Sequence, residues 1–184
     1  MNTGIISSRY AKALLLYLGD APDTQAVYDQ AQTLEKALGA LPQFGQALSS
    51  PADIDDAAKM DLLREAVGEK MDPRLERFLS MVLTKGRSSY LQLILHAFRE
   101  QYLKEKHILV ARLVTAVPAP ALQEKLSAIL REKTGCDIRF EAEVDPDLIG
   151  GFVLEVDGFR VDAAVSSQLE ELRRQFVRKN KRIV

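Results

Sequence analysis

Residues 148–169 read LIGGFVLEVDGFRVDAAVSSQL, and this stretch carries the strongest local signals in the chain. Residues 152–156 predict a short β-strand. Asp157 and Gly158 follow as a two-residue turn of type I′, in which both central residues have positive φ. Residues 159–162 predict the returning strand, and an amphipathic helix follows almost immediately. The stretch therefore predicts a β-hairpin that leads into a helix.

Two adjacent glycines, Gly150 and Gly151, open the first strand of this hairpin. Neither of the glycine-rich phosphate-binding frames, Gly-x-x-x-x-Gly-Lys-Ser/Thr or Gly-x-Gly-x-x-Gly, surrounds them. We therefore interpret the pair as a point where the backbone bends or packs closely at the start of a strand.

The rest of the C-terminal region has the pattern of a small α+β unit. Residues 108–117 predict a strand that ends at the Pro-Ala-Pro segment, and a helix follows up to Gly135. Apolar residues then alternate with charged ones, which is the period of a half-buried strand. These apolar residues are Ile138, Phe140, Ala142 and Val144. With the hairpin and the last helix, residues 106–184 have the order strand, helix, strand, hairpin, helix.

Everything before about residue 105 predicts helices joined by short loops. The second helix repeats apolar residues at spacings of four and three, which keep one stripe facing a partner helix. Its stripe consists of Val27, Ala31, Leu34, Leu38 and Leu41. Six such helices predict an N-terminal bundle over residues 1–105. The fold class is therefore α+β, with the bundle followed by a C-terminal unit that has a short sheet and two helices.

Local signals indicate where three of these helices start. Asp53 is the expected N-cap of the fourth helix. Asp72 followed by Pro73 is the expected start of the fifth, because the N–H that proline lacks would have no partner inside the helix at that position. Ser88 or Ser89 is the expected cap of the sixth helix.

The composition is that of a globular protein, with 47% hydrophobic and 28% charged residues and a net charge of −1. This balance gives no indication of bulk nucleic-acid binding, and no apolar run approaches the roughly 18 residues of a membrane span. Arg9 and Lys12 interrupt the apolar residues near the N-terminus, so we interpret that segment as a folded helix and not as a signal peptide. The single cysteine, Cys136, permits no internal disulfide, which agrees with a reducing, cytoplasmic compartment.

The sequence has no arrangement typical of a catalytic or metal site. His96 and His107 have no second histidine or cysteine at metal-ligand spacing. Two carboxylate pairs could be imagined to work as acid and base, but we interpret them as solvated charges on the polar faces of strands. They are Asp145 with Asp147 and Glu155 with Asp157. We expect no metal and no cofactor.

Three parts of the chain resemble one known family. Residues 9–14, Arg-Tyr-Ala-Lys-Ala-Leu, match a motif of the family's first helix, and residues 85–87, Lys-Gly-Arg, lie where the family has a Gly-Arg pair. The Gly-Gly-Phe hairpin resembles the family's C-terminal signature. That family is the delta subunit of F-type ATP synthases, whose mitochondrial relative is the oligomycin-sensitivity-conferring protein.

The C-terminal motif departs from the family at two positions. Asp162 and Val165 match the family's Asp-Gly-Ser-Val, whereas Ala163 and Ala164 replace its Gly and Ser. We expect the glycines, the turn and the neighbouring polar residues to serve the structure. These structural candidates are Gly86, Arg87, Gly150, Gly151, Asp157, Gly158 and Asp162.

The resemblance implies a non-catalytic subunit of the peripheral stalk, which stops the catalytic head from turning with the rotor. In that family the N-terminal bundle binds N-terminal helices of the head's alpha subunits, and the C-terminal part binds the b subunits. Rotor torque then drives ATP synthesis coupled to ion transport. The resemblance also implies a place on the cytoplasmic face of the bacterial inner membrane, with membrane association only through the complex.

The first helix is apolar nearly all round, which leaves two interpretations open. Either it is the central helix of the bundle, or its surplus face forms one wall of a groove for a partner's amphipathic helix. The fifth helix is the expected second wall, because its apolar stripe is wider than one neighbour needs. The candidates for contact with the head are Ile6, Tyr10, Ala13, Leu14, Tyr17, Phe78, Met81 and Val82.

The last helix ends in a basic tail, for which three interpretations stay open. It is a solvated helix end favoured by the helix dipole, a docking surface for acidic stretches of the b subunits, or a site of weak attraction to anionic lipid or RNA. The candidates for contact with the stalk are Arg173, Arg174, Phe176 and Arg178.

Two other functions remain as alternatives. A helical adaptor would use the same groove for an unrelated amphipathic partner. A small hydrolase would use C-terminal carboxylates such as Asp145 or Glu155.

Overall fold

The computed structural model describes residues 3–19, 23–49, 54–68 and 70–180, with the backbone alone described at residue 3 and at residues 175–180. The chain divides into two compact units, Met1–Glu105 and Lys106–Val184. The first consists of helices where it is described, and the second of a sheet with two helices. The fold is therefore α+β, as predicted. Within the described ranges, no helix is long and apolar enough to cross a membrane.

Six α-helices and one 3-10 turn make up the described part of the first unit. They are α1 (Thr3–Leu18), α2 (Thr24–Ala40), α3 (Pro42–Ser49), α4 (Asp56–Val67), α5 (Pro73–Thr84), the 3-10 turn (Ser88–Tyr90) and α6 (Leu91–Glu105). α6 packs against both α1 and α2, and all six helices contribute to one hydrophobic core. Four of the five stripe residues of α2 are buried in this core, whereas Leu41 lies beyond the helix end and is exposed.

The start of α5 is as predicted, and the start of α4 is not. Asp72 caps α5 and is followed by Pro73. Asp55, and not Asp53, caps α4, because its side chain accepts a hydrogen bond from the Ala58 N–H at 2.8 Å. Asp53 itself lies outside the described residues.

The predicted serine cap of α6 is wrong. Ser88 and Ser89 lie inside the 3-10 turn, and this turn leads directly into α6. The Tyr90 N–H donates a hydrogen bond to the Arg87 carbonyl at 3.0 Å. The backbone thus begins to coil before α6 starts, and the two serines are not in the extended conformation that an N-cap needs.

The second unit is built on a four-stranded sheet. Its elements are β1 (Ile108–Thr115), α7 (Pro120–Thr134), β2 (Asp137–Val144), β3 (Phe152–Val156), β4 (Phe159–Asp162) and α8 (Val165–Asn180). The strand order is β2-β1-β3-β4. β1 and β2 are parallel, whereas β3 is antiparallel to both β1 and β4. Parallel strands need a crossover connection, and α7 provides it.

β1 and β2 differ from the prediction at their C-terminal ends. β1 stops at Thr115, whose hydroxyl donates a hydrogen bond to the Val117 carbonyl at 2.8 Å. The predicted half-buried alternation of β2 holds only in its first half, because Phe140 packs on the core whereas Ala142 and Val144 are exposed. β2 is an edge strand, and the core cluster that includes the leucines of α7 contains Ile138 and Phe140 but neither Ala142 nor Val144.

The hairpin between β3 and β4 has the predicted turn. Asp157 and Gly158 both have positive φ, 48° and 78°. Val156 and Phe159 pair directly across the two strands next to the turn. The type I′ geometry matches the twist of the strands that it joins.

Gly151 makes the close backbone approach that we expect of the glycine pair. Its φ is +81°, and a Cβ atom there would lie 2.1 Å from the carbonyl oxygen of Ala163. The approach is held by a hydrogen bond from the Ala163 N–H to the Phe152 carbonyl, at 2.9 Å. At Gly150 there is room, since a Cβ atom would meet Val165 at 3.5 Å, an ordinary contact.

Candidate partner-binding surfaces

α1 presents different faces to the core and to solvent. It packs against α6, and its buried stripe consists of Ser7, Ala11, Leu14 and Leu18. A second stripe lies about a quarter of a turn away around the helix. It consists of Ile6 and Tyr10, which are half-buried, and Ala13 and Tyr17, which are exposed. α1 is therefore not the central helix of the bundle, since α2 packs against α3, α4, α5 and α6. One face of α1 is buried and a second reaches the surface, and contact of that second face with a partner stays a prediction.

The second stripe of α1 borders two adjoining depressions. The first, of about 360 Å³, is lined by Ile6, Arg9, Tyr10, Ala13, Met81 and Arg87. The second, of about 430 Å³, is lined by Ala13, Tyr17, Arg77, Phe78 and Met81. Because Ala13 and Met81 line both, the depressions form one continuous surface between α1 and α5. We call this surface the α1–α5 groove.

The ring of Tyr10 is fixed in the groove by contacts from two directions. Arg87 donates a hydrogen bond from Nη1 to the Tyr10 hydroxyl oxygen, and its guanidinium carbon lies 5.1 Å from the ring centroid. Phe78 of α5 meets the same ring edge-on at a centroid distance of 6.5 Å. Both are favourable aromatic geometries, so α1 and α5 are joined through Tyr10.

The backbone conformation at the end of α5 places Arg87 beside Tyr10. Gly86 has φ +63°. Its N–H donates to the Leu83 carbonyl at 2.7 Å, and the Arg87 N–H donates to the Val82 carbonyl at 3.1 Å. These two bonds form a Schellman motif, which ends a helix at a residue in the left-handed conformation. The Gly-Arg pair is thus a helix terminator followed by the side chain that contacts Tyr10.

Some of the predicted head-contact residues line the groove, and others are buried in the core behind it. Tyr17 and Met81 are 51% and 41% exposed and line the groove openly. Phe78 lines it but is only 5% exposed. Leu14 and Val82 are fully buried, so they do not reach the surface; they belong to the core behind the two walls. Contact of the surface members with a partner remains a prediction.

Two lining residues, Arg9 and Arg77, were missed by the sequence reasoning. Helical spacing could have found them. Arg9 lies four residues before Ala13, and Arg77 lies four residues before Met81, and residues four apart are neighbours on a helix surface. An apolar stripe alone leaves out the charged residues along its border.

A larger depression, of about 640 Å³, lies between α4 and α5, but its chemistry is different. Arg64 lies between two of its acids and pairs with Asp61 at 2.6 Å and with Glu76. Three acids and two arginines line it in all, so its lining is strongly charged. The smaller α1–α5 groove has the apolar lining that an amphipathic partner needs.

In the second unit, α8 carries an exposed apolar stripe beside its basic residues. Val165, Leu169 and Leu172 follow a spacing of four and three, and all three are exposed. Arg173 and Arg174 are exposed as well, and Arg174 donates to a Glu170 oxygen at 3.0 Å. The side chains of Phe176 and Arg178, which we also expect to contact the stalk, lie outside the described residues.

The start of α8 is held by Asp162. One carboxylate oxygen accepts a hydrogen bond from the Ala164 N–H at 3.0 Å, and the other accepts one from the Ser167 hydroxyl at 2.9 Å. These bonds, the backbone one first, hold the pKa of Asp162 below its usual value. The role of this aspartate therefore does not depend on the Gly-Ser pair that Ala163 and Ala164 replace.

Two of the carboxylates considered for catalysis, Glu155 and Asp145, are engaged in structural contacts. Glu155 lies near Arg112 at 3.9 Å and Arg160 at 3.4 Å on an exposed face of the sheet. Asp145 accepts a hydrogen bond from the Asp147 N–H at 3.0 Å and so shapes a turn. In the part of the chain that the structure describes, no group of three or more His, Cys, Asp or Glu residues is placed to hold a metal ion.

Comparison with known proteins gives matches over nearly the whole chain. The profile of the family described as ATP synthase delta (OSCP) subunit matches residues 6–176. The protein named ATP synthase subunit delta from Phocaeicola vulgatus is 36% identical over 186 residues, covering 100% of both chains. The protein of the same name from Parabacteroides distasonis is 37% identical over 174 residues, covering 94% of this chain and 96% of its own.

Similarity extends to solved structures. A chain in the cryo-EM structure of the Toxoplasma gondii mitochondrial ATP synthase hexamer superimposes with a TM-score of 0.59 and 28% sequence identity. The match covers 93% of this chain and 97% of that chain.

Proposed function

Because the chain belongs to the ATP synthase delta (OSCP) subunit family, it is a non-catalytic subunit of the peripheral stalk, and we propose that its two units join the catalytic head to that stalk. The first unit, a six-helix bundle, binds the N-terminal helices of the head's alpha subunits. The second unit binds the C-terminal ends of the b subunits. The complex holds it at the cytoplasmic face of the bacterial inner membrane.

The observation that carries the head contact is the α1–α5 groove. It runs along α1 from Ile6 to Tyr17, a length of about 16 Å, or three helical turns. Its lining combines exposed apolar side chains with the ring of Tyr10, which Arg87 and Phe78 hold in place. A pre-formed apolar groove of this length suits an amphipathic helix, which would bury about three successive turns of its own apolar face.

The exposed stripe of α8 supports the stalk contact. Leu169 and Leu172 are about half exposed and lie one turn apart, next to Arg173 and Arg174. A helical partner that covers the two leucines would bring its polar border close to the two arginines. Acidic residues of a b subunit there would add an attraction that salt weakens.

The function is mechanical. By binding head and stalk at once, the protein prevents the head from turning with the rotor, so that torque drives conformational change in the head. Two contacts on one chain raise the effective concentration of each, which slows dissociation of the assembled complex.

The head contact is tested by titrating the full-length protein with a peptide that copies the first ~20 residues of the same organism's alpha subunit, followed by NMR of backbone amides. We expect saturable binding with shifts confined to α1, α5 and the segment around Arg87. Met81→Ala should weaken binding, because it removes lining from both depressions.

Leu16→Ala is the matched control. Leu16 is 72% exposed on α1 and does not line the groove, so we expect unchanged affinity. Equal weakening by Leu16→Ala and Met81→Ala would place the head contact on another face of α1. Absence of binding by the folded protein would contradict the head contact itself and favour an adaptor with another partner.

A further inference from the structure

We propose that the α1–α5 groove selects and orients its partner by charge: it takes an amphipathic helix with carboxylates at both ends of its apolar stripe, and the more acidic end lies beside Arg9 and Arg87. This inference rests on the proposed function, because the helix is that of the alpha subunit. It adds which side chains the partner must carry and in which direction the helix lies.

The first observation is the sign of the charge around the groove. The residues that line it include three arginines and no acid. α1 has no Asp or Glu over Thr3–Leu18. The acids of α5 and its cap are already paired, since Glu76 bonds to Arg64 and Asp72 to Arg74. The groove is therefore apolar along its length and positive along its border.

The second observation is that two of these arginines have no carboxylate partner within the described part of the chain. Neither Arg9 nor Arg77 forms an ion pair there, and both side chains are exposed. Arg87 contacts Tyr10, but a guanidinium has five N–H groups, so most of its donors remain for a second partner. Arginine binds carboxylates with two parallel hydrogen bonds, which adds geometric specificity.

The third observation is the uneven distribution of these charges. Arg9 and Arg87 line the depression that contains Ile6, near the start of α1. Arg77 lines the other depression, next to Tyr17 at the end of α1. A helix lying in the groove thus meets two guanidinium groups at one end and one at the other. A partner with unequal acidic ends binds better in one direction than in the reverse direction.

Charges at the border of an interface act mainly on association rate, salt dependence and rejection of wrong partners. The apolar lining supplies attraction to any amphipathic helix. The arginines discriminate among such helices, because a lysine-bordered helix would place like charges together. An exposed pair contributes modestly, so each arginine should change the dissociation constant about two- to fivefold.

The test measures binding of the full-length protein to the alpha-subunit peptide and to a copy in which the acids flanking its apolar stripe become amides. Isothermal titration at about 0.02 M and 0.3 M salt reports both affinity and screening. We expect the amide peptide to bind several-fold more weakly at low salt, and the difference to shrink at high salt. Arg9→Gln and Arg77→Gln should each weaken binding of the acidic peptide about two- to fivefold.

A double-mutant cycle separates direct pairing from general attraction. In Arg77→Gln, changing the peptide acid that faces this position should have little further effect. Lys12→Gln is the matched control, since it removes the same charge from α1 away from the groove lining. Arg87 stays unchanged, because its substitution would also release Tyr10.

The outcomes are distinct. The native peptide could bind tightly with an affinity that does not change in Arg9→Gln, in Arg77→Gln or on conversion of its acids to amides. That result would overturn the proposed selection by charge and leave the groove as the head contact. An equal effect of Lys12→Gln would overturn it too, since only net charge would then matter. Failure of the wild-type protein to bind the native peptide would contradict the proposed function, and the inference with it.

Discussion

The two units of this protein differ in how completely they bury their own apolar side chains. In the first unit, all six helices contribute buried residues to one core. Among the described residues of the second, the core cluster has three buried members, Ala111, Leu113 and Leu154. Large apolar side chains are exposed there on the hairpin and along α8, with Phe159 at 77% exposure.

This difference indicates two kinds of binding surface. The α1–α5 groove lies on a unit with a large core of its own, so we expect binding there to require little rearrangement. The apolar stripe of α8 and the exposed residues of β4 belong to a unit with a small core. A partner that covered these side chains would bury them. We expect the first unit to remain folded where the second is lost.

The largest expected effect is that of Gly151→Ala. The new Cβ would lie 2.1 Å from a backbone oxygen, at a φ of +81° that disfavours alanine. We expect the free energy of unfolding of the second unit to fall by about 2–4 kcal/mol, which would unfold much of a unit with so small a core. Hydrogen exchange followed by NMR in the full chain should show protection lost in β1–β4 and kept in α1–α6.

Gly150→Ala is the control for this change, because its Cβ would meet only the Val165 side chain at 3.5 Å. We expect it to leave exchange in the sheet nearly unchanged. If substitution of Gly151 also removed protection from α2 and α6, the two units would unfold together. That result would contradict the independent stability of the first unit.

A second prediction compares the same substitution in both units. Leu95→Ala removes a fully buried side chain of α6 and should cost about 2–5 kcal/mol, through lost burial and the cavity left behind. Leu169→Ala removes a side chain that is 53% exposed on α8 and should change the stability of the free protein by less than about 0.5 kcal/mol. Urea unfolding measures both.

Leu169 should matter once a partner is present. Binding to the C-terminal segment of a b subunit, measured with the full-length protein, should weaken in Leu169→Ala and stay unchanged in Leu95→Ala under conditions where that variant is folded. A large loss of stability in free Leu169→Ala would mean that α8 is packed within its own unit.

A third prediction concerns the helix end beside the groove. Gly86→Ala should cost about 1–2 kcal/mol, because a Cβ is disfavoured at φ +63°, although it would meet no atom within 4 Å. Gly45→Ala, inside α3 and equally free of contacts, should instead stabilise by up to about 1 kcal/mol. Thermal unfolding of the first unit in the full chain shows whether each substitution lowers or raises its melting temperature. A gain in both variants would show that the left-handed end of α5 is not required.

Features fixed by a few neighbouring residues could be predicted from the sequence. The type I′ turn at Asp157 and Gly158, the Asp72-Pro73 start of α5 and the buried stripe of α2 depend on local φ preferences or on helical periodicity. The family resemblance likewise rests on short motifs, and the profile match over residues 6–176 confirms it.

Features that depend on what lies opposite a residue could not be predicted. Val144 has the right alternation for burial but lies on an edge strand, outside the core cluster that includes the leucines of α7. Leu14 and Tyr17 are both apolar positions of α1, and only packing on α6 decides which is buried. Arg9 and Arg77 could be identified as candidates only from the structure, because it places them at the border of the groove without ion-pair partners among the described residues.

The smallest expected effect separates the units by pH. Asp72 caps α5, and the Arg74 side chain holds the pKa of its carboxyl below the usual 3.8. Asp162 precedes α8, and the hydrogen bond from the Ala164 N–H holds the pKa of its carboxyl below the same value. A carboxyl whose pKa is lowered by folding stabilises the protein above its unfolded pKa, and the contribution is lost as pH falls through the folded pKa. Asp162→Asn should therefore reduce the acid sensitivity of the second unit alone, and Asp72→Asn that of the first. Amide exchange of each unit, compared at neutral pH and below 3.8, measures both changes. If either variant altered both units equally, the acid response would be a property of the whole chain, and the units would not be independent.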